Sequence, residues 1–190
     1  MHLRTGFLGT PVLCRALSKW GDSDSAYTLL LQEDYPSWLY EVNMGATTVW
    51  ERWNSVLPDG KISGISMNSM NHYAYGSIVE WMYRDMCGIN PSEEQAGFRR
   101  IILAPKADKR MGHARAAVNS PAGRYESGWQ WSGDGFAYDF TIPFNCEAEL
   151  HLTGKLETLT VNGVPAAELG LSQQGDMVIG TLCAGTYHIC

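Results

Sequence analysis

The sequence predicts a multidomain α+β protein in which a helical region, residues 1–90, precedes an antiparallel β-sandwich, residues 91–190. Before about residue 90, apolar residues recur at helical spacing, whereas after it short β-rich runs alternate with Gly, Pro and Asn turns. The chain has 190 residues, of which 45% are hydrophobic. This proportion of hydrophobic residues is enough for one large core or two small ones.

Four helices are predicted in the first region. The first is expected from about Pro11 to Trp20, with Thr10 as the N-cap and Gly21 as a left-handed stop. The others are expected at about residues 22–32, 37–40 and 71–87, the third of them capped by Ser37.

Several of these helices are apolar on more than one side. Such helices normally need neighbours on both faces, so the chain is expected to begin inside a larger helical domain. A fragment of that kind would expose apolar surface, and we expect it to associate with itself or with a missing partner.

The second region is predicted to hold about eight short strands, and Asn162-Gly163 is a strong hairpin turn. This spacing is typical of an antiparallel sandwich. The strands are expected at residues 99–103, 114–119, 123–131, 136–142, 148–152, 156–161, 176–182 and 186–189.

Charge and composition exclude several classes of function. The net charge is −6, the sequence pI is about 5.3 and no basic stripe is visible, which excludes nucleic acid as a partner. No apolar run reaches membrane-spanning length and no secretory signal is visible, so a cytoplasmic protein without a membrane partner is expected. The five scattered cysteines argue against a disulfide framework or a zinc site.

Aromatic residues are abundant, with seven Trp and nine Tyr. Sugar-binding clefts favour such residues because pyranose C–H faces pack on aromatic rings. Large cores use them too, so the count alone leaves both interpretations open. In the second region Trp129, Trp131 and Tyr138 are either a sugar platform or residues that alternate into the sandwich core.

The motif WERW at residues 50–53 places Glu51 between two indoles and beside Arg52. A Glu in an aromatic pocket suits general acid or base work on a glycosidic bond. The alternative is a buried pair of Glu51 and Arg52 that pins a loop against the core. In an extended segment neighbouring side chains face opposite ways, so the two need not pair.

Two further motifs are candidates for a polar cleft. His72 lies at the predicted start of the last helix, where its imidazole can donate and accept hydrogen bonds to sugar hydroxyls; a capping or core role is the alternative. The motif YPSWLY at residues 35–40, which includes Trp38, either lines a cleft or fills a corner of the core, and the core interpretation is favoured.

Four motifs together resemble one family. Residues 5–11 (TGFLGTP), 35–40 (YPSWLY), 45–53 (GATTVWERW) and 67–76 (MNSMNHYAYG) are similar, in the same order, to motifs of bacterial α-L-rhamnosidases of glycoside hydrolase family 78. The similarity covers residues 2–90, and the β-rich remainder fits the family's C-terminal sandwich more loosely.

The resemblance implies the C-terminal portion of an (α/α)6 barrel followed by an antiparallel, jelly-roll-like β-sandwich. It further implies inverting hydrolysis of terminal α-L-rhamnose from glycosides or oligosaccharides, without a cofactor. Glu51 falls on the general base and His72 on a histidine of the sugar site, and Trp53 and Trp38 are candidate substrate-binding residues.

The family's general acid lies upstream of the segment that this chain matches. The isolated chain is therefore expected to be weakly active or inactive, and its truncated barrel face is expected to allow self-association. Two alternatives remain open: a non-catalytic carbohydrate-binding protein and an inactive structural fragment.

Overall fold

The structure, a computed structural model, describes residues 1–64 and 66–190. The chain divides into two compact units, Met1–Trp81 and Met82–Cys190. The first holds the α-helices and the second holds the strands and three short 3-10 or π turns, which confirms the predicted α+β class. The domain boundary at residue 90 stays a prediction.

Side-chain caps mark the start of two of the three helices in the first part of this unit. They are α1 (Thr10–Lys19), α2 (Ser23–Leu30) and α3 (Trp38–Asn43). The Asp22 side chain accepts a hydrogen bond from the Ser25 N–H, and the predicted cap Ser37 accepts one from the Tyr40 N–H. The predicted cap of α1 is wrong: Gly9 is the N-cap, and Thr10 is the first helical residue.

The last helix of this unit differs from its prediction. Instead of one helix from residue 71, a 3-10 turn (Ala74–Ser77) leads into α4 (Ile78–Trp81), and a π-turn (Met82–Met86) follows. His72 therefore precedes the helix. Its backbone N–H is already taken by the Val49 carbonyl at 2.8 Å, which keeps it out of a helical turn.

Trp81 joins three helices in the core of the first unit. Its ring packs edge-on against Tyr27 of α2, with centroids 5.0 Å apart. Its indole N–H donates to the Ser18 hydroxyl of α1 at 2.8 Å, and only 1% of the residue is exposed. The hydrogen bond satisfies the polar atom of a large apolar ring, so α1, α2 and α4 share one core.

Nine strands make up the second unit. They are β1 (Ile89–Pro91), β2 (Arg100–Leu103), β3 (His113–Ser120), β4 (Gly123–Trp131), β5 (Phe136–Thr153), β6 (Thr160–Val161), β7 (Val164–Pro165), β8 (Ser172–Gln174) and β9 (Met177–Ile189). Two pairs of predicted strands are single long ones: residues 136–142 and 148–152 both belong to β5, and residues 176–182 and 186–189 both belong to β9.

The long strands β5 and β9 connect two halves of the sheet. They pair with each other on both sides of a register shift between Ile142 and Glu147. The first half of β5 pairs with β4, which pairs with β3, whereas its second half pairs with β2, which pairs with β1. Every pair is antiparallel except β2 with β5, which is parallel.

The hairpin at Asn162-Gly163 is confirmed. Val161 pairs with Val164, and the two turn residues have φ values of +53° and +81°. Both angles lie in the left-handed region that a two-residue hairpin turn requires.

Alternate side chains of β4 point into the core of the second unit. The Trp129 indole donates to the Met86 carbonyl at 2.8 Å, and the Tyr125 hydroxyl donates to the Phe98 carbonyl at 2.6 Å. Trp129 and Tyr138 are 2% and 5% exposed. These two rings belong to the core, which favours the core interpretation over a sugar platform for them.

Gly88 should be far less tolerant of a side chain than Gly133. Both have positive φ, +74° and +94°, but a Cβ on Gly88 would lie 2.1 Å from the Pro105 nitrogen, whereas a Cβ on Gly133 meets nothing within 4 Å. Gly133→Ala should lower the free energy of unfolding by about 1 kcal/mol, the cost of left-handed backbone. Gly88→Ala should lower it by about 3 kcal/mol, because the backbone at residues 104–105 must also move. Urea unfolding of both variants measures this, and equal losses would contradict it.

Candidate functional site

Two segments of the first unit lie side by side through their backbones. The Glu51 N–H donates to the Ser69 carbonyl at 2.9 Å, and the His72 N–H donates to the Val49 carbonyl at 2.8 Å. The proposed base and the proposed sugar-lining histidine thus come from paired segments, although about twenty residues of chain lie between them.

The Glu51 carboxylate is oriented by the same pairing. Its Oε2 accepts a hydrogen bond from the Ser69 N–H at 2.7 Å. Its Oε1 has no hydrogen-bond partner among residues 1–64 and 66–190, and the side chain is half-buried. One oxygen is therefore fixed while water can reach the other.

Arg52 turns away from Glu51 and holds a loop. Its guanidinium donates to the carbonyls of Ser66 at 2.8 Å, Met67 at 2.9 Å and Ser63 at 3.3 Å. Within the described part of the chain no ion pair joins Arg52 to Glu51. The interpretation as a buried Glu–Arg pair is therefore wrong, because neighbouring side chains of this segment face different partners.

An aromatic cluster links the other three predicted site residues. The His72 ring stacks on Phe7 with centroids 4.8 Å apart, and Phe7 lies 5.4 Å from Tyr75. Tyr75 stacks on Trp53 at 3.8 Å. Trp38 packs edge-on against Trp53 at 5.3 Å, and its indole N–H donates to the Tyr75 carbonyl at 2.9 Å. The cluster places His72, Trp53 and Trp38 in one continuous set of ring contacts.

The members of this cluster differ in what they present to solvent. His72 is half-buried, whereas Trp38 and Trp53 are 8% and 7% exposed. Trp53 borders a cleft of about 640 Å³ whose other walls are residues 2–6, Tyr35 and Pro36. A space of this size holds a monosaccharide, but Glu51, His72 and Trp38 are not among its lining residues. Substrate contact by Trp38, whose polar atom is already bonded, stays a prediction.

Glu41 is a buried acid that the sequence analysis missed. It is 4% exposed, and its Oε2 accepts a hydrogen bond from the Trp50 N–H at 3.2 Å. Its Oε1 is buried without a partner in the described residues. Burial raises the pKa of this carboxyl to about 7, against a smaller lowering by the Trp50 N–H. One signal was available, because Glu41 follows Trp38 by three residues and so shares its face of α3.

The described residues contain no group of three or more His, Cys, Asp or Glu side chains that could hold a metal ion. Within the same residues, every helix is too short or too polar to cross a membrane. Within the described residues, Cys87, Cys146, Cys183 and Cys190 are free thiols.

Family comparisons cover most of the chain. Residues 1–86 match the bacterial alpha-L-rhamnosidase 6 hairpin glycosidase domain, and residues 88–164 match the bacterial alpha-L-rhamnosidase C-terminal domain. The chain belongs to the bacterial α-L-rhamnosidase family. The predicted six-hairpin barrel portion and C-terminal domain are thereby confirmed.

Individual relatives agree with this assignment. An α-L-rhamnosidase of Alteromonas sp. (strain LOR) is 45% identical over 148 residues, which are 78% of this chain and 16% of that protein. One of Formosa agariphila is 44% identical over 162 residues, which are 85% of this chain and 17% of that protein. The crystal structure of Streptomyces avermitilis α-L-rhamnosidase complexed with L-rhamnose matches with a TM-score of 0.87 and 36% identity, over 99% of this chain and 18% of that one. The chain spans about one sixth of the length of these curated relatives.

Replacing Arg52 by Lys should destabilise this member of the α-L-rhamnosidase family. An ammonium group lacks the planar fork that reaches three carbonyls, so the free energy of unfolding should fall by about 1–2 kcal/mol. Arg4→Lys is the matched control, because Arg4 is exposed. Urea unfolding of both variants measures the difference, and equal stabilities would show that the three hydrogen bonds contribute nothing.

Proposed function

We propose that this chain supplies the general base for inverting hydrolysis of terminal α-L-rhamnose from glycosides or oligosaccharides. The observation that supports this most is the state of Glu51. Its Oε2 is held by the Ser69 N–H at 2.7 Å, and its Oε1 has no partner among the described residues. A half-buried carboxylate with one oxygen held and one open is suited to take a proton from water.

In the proposed reaction, a water molecule lies between Glu51 and the anomeric carbon. As the water oxygen bonds to that carbon, Glu51 takes its proton, and the bond from the carbon to the glycosidic oxygen breaks. A carboxylic acid on the opposite side, about 6.5–9.5 Å from Glu51, protonates the departing oxygen. We propose that this acid comes from a part of the six-hairpin domain outside this chain.

The aromatic cluster supports binding of the sugar. The Ala74 N–H lies 3.3 Å from His72 Nδ1, so Nδ1 accepts and Nε2 is left to donate to a sugar hydroxyl. The stack on Phe7 fixes the plane of the imidazole. Trp53, at the edge of its cleft, offers an apolar surface to sugar C–H groups. The proposed substrate class is supported by the names of the relatives, which are α-L-rhamnosidases, and by the L-rhamnose in one solved structure.

The catalytic proposal is tested in a chimera in which residues 1–190 replace the matching segment of the Streptomyces avermitilis enzyme. Glu51→Gln should lower kcat on an aryl α-L-rhamnoside by about 10²- to 10⁴-fold, because the amide cannot take a proton. Glu33→Gln is the matched control at an exposed position. Turnover of the Glu51 variant at the level of the unmodified chimera would remove Glu51 from the mechanism, provided that circular dichroism shows an intact fold. The 190-residue chain alone is expected to show little or no turnover.

We also propose that the isolated chain self-associates through one face of α1. Apolar residues at intervals of four form an exposed stripe along α1 and its flanking turns. Leu8, before the helix, Val12, within it, and Trp20, at its C-terminal end, are 93%, 60% and 85% exposed. An apolar stripe of this kind is typical of a helix that packs against another element.

Val12→Asp should shift the chain toward monomer in sedimentation velocity, because it places a charge in the middle of the stripe. Val42→Asp is the matched control, since Val42 is equally exposed, at 60%, but lies on α3. A monomeric unmodified chain, or equal effects of both substitutions, would contradict the proposal.

A further inference from the structure

Glu41 has no part in the hydrolysis described above, yet it is the acidic side chain most deeply buried in the first unit. It lies on α3, on the face that carries Trp38. Its backbone carbonyl accepts the Ala46 N–H at 3.0 Å, which fixes the end of the helix. Its side chain is therefore anchored from a rigid element.

The Glu41 carboxyl reaches the residue directly before the proposed base. Its Oε2 accepts the Trp50 N–H at 3.2 Å, and Trp50 is itself 4% exposed. The next N–H along the chain is that of Glu51, which donates to the Ser69 carbonyl. Two consecutive peptide groups are thus fixed from two sides, one by Glu41 and the other by residue 69.

Little in its surroundings stabilises a negative charge on Glu41. No Lys, Arg or His side chain in the described residues forms an ion pair with it, and Oε1 lacks any partner there. The titratable group that faces it from the neighbouring 3-10 turn is Tyr75, whose pKa is raised by burial, then by Glu41 and by Tyr35. A phenol near neutral pH is uncharged, so the Trp50 N–H is the dipole available to a carboxylate here, and the neutral acid is preferred.

We propose that Glu41, in its protonated form, is a positioning residue that holds the Val49–Trp50 peptide group and thereby orients the general base, which is the next residue. Ionisation of Glu41 places an uncompensated charge among packed aromatic rings. The carboxylate then draws water toward itself, and the packing of Trp50 loosens. The orientation of Glu51 depends on that packing, so turnover falls as Glu41 ionises. This inference rests on the proposed role of Glu51.

The pH range follows from the direction of the shift. The pKa of Glu41 is raised from about 4.5 to about 7 in the folded chain. The folded chain therefore binds more protons than the unfolded chain between these values, and stability falls as pH rises through this window. Above about pH 7 Glu41 is ionised in both the folded and the unfolded chain, and the loss of stability grows no further.

The test uses the chimera described above with Glu41→Gln. The amide oxygen of this variant still accepts the Trp50 N–H, and the amide does not ionise. The kcat of the unmodified chimera, divided by that of Glu41→Gln, should therefore fall about tenfold between pH 5.5 and 9, with a midpoint near 7. The effect should appear in kcat more than in KM, because positioning of the base acts on the transition state. Glu33→Gln should give a ratio that does not change with pH. Glu41→Leu, which leaves the Trp50 N–H without an acceptor, should lower kcat at every pH.

A flat ratio for Glu41→Gln would overturn the inference. A second readout does not depend on activity: ¹³C NMR of the unmodified 190-residue chain labelled at glutamate carboxyls, with the Glu41 signal assigned by its loss in Glu41→Gln. That carboxyl should titrate near pH 7, and titration near 4.5 would overturn the inference even if the variants fail to fold.

If Glu51→Gln abolishes turnover but the Glu41 ratio is flat, only this inference fails. If Glu51→Gln is fully active, the proposed function fails, and the NMR titration still decides the protonation state of Glu41.

Discussion

The candidate site depends on the backbone pairing of residues 49–51 with residues 69–72. Three hydrogen bonds, from Glu51 to the Ser69 carbonyl, from the Ser69 N–H to the Glu51 carboxylate and from His72 to the Val49 carbonyl, join these segments. Neither segment is a regular strand or helix. Their geometry is therefore set by what holds them from outside, and those supports decide where the carboxylate points.

Support comes from both sides of the pair. Arg52 binds three carbonyls of the loop between the segments, and Glu41 binds the Trp50 N–H from α3. The ring contacts that run from His72 through Tyr75 to Trp38 add an apolar support, and packed aromatic side chains of this kind have few rotamers. A polar side chain that is held by its neighbours loses little freedom when it binds a substrate, which is the physical advantage of such a site.

Local features could be predicted from the sequence, and features that depend on distant partners could not. The Ser37 cap and the Asn162-Gly163 turn were predicted correctly because their chemistry involves only neighbouring residues. The start of the last helix was not, because the His72 N–H is taken by a residue far along the chain. The two predicted strands within β5 are one because pairing with β9 continues across a bulge. Glu41 was missed because its burial is a property of tertiary packing.

The most direct test of the central claim is chemical rescue of a chimera that carries Glu51→Ala. Azide is a nucleophile that needs no base, and it fits the space that the missing carboxylate and its water leave. With an aryl α-L-rhamnoside it should attack the anomeric carbon as the phenol departs, restore turnover and give β-L-rhamnosyl azide, the inverted product. No acceleration by azide, or a product with the α configuration, would contradict the account of Glu51 as the base of an inverting reaction.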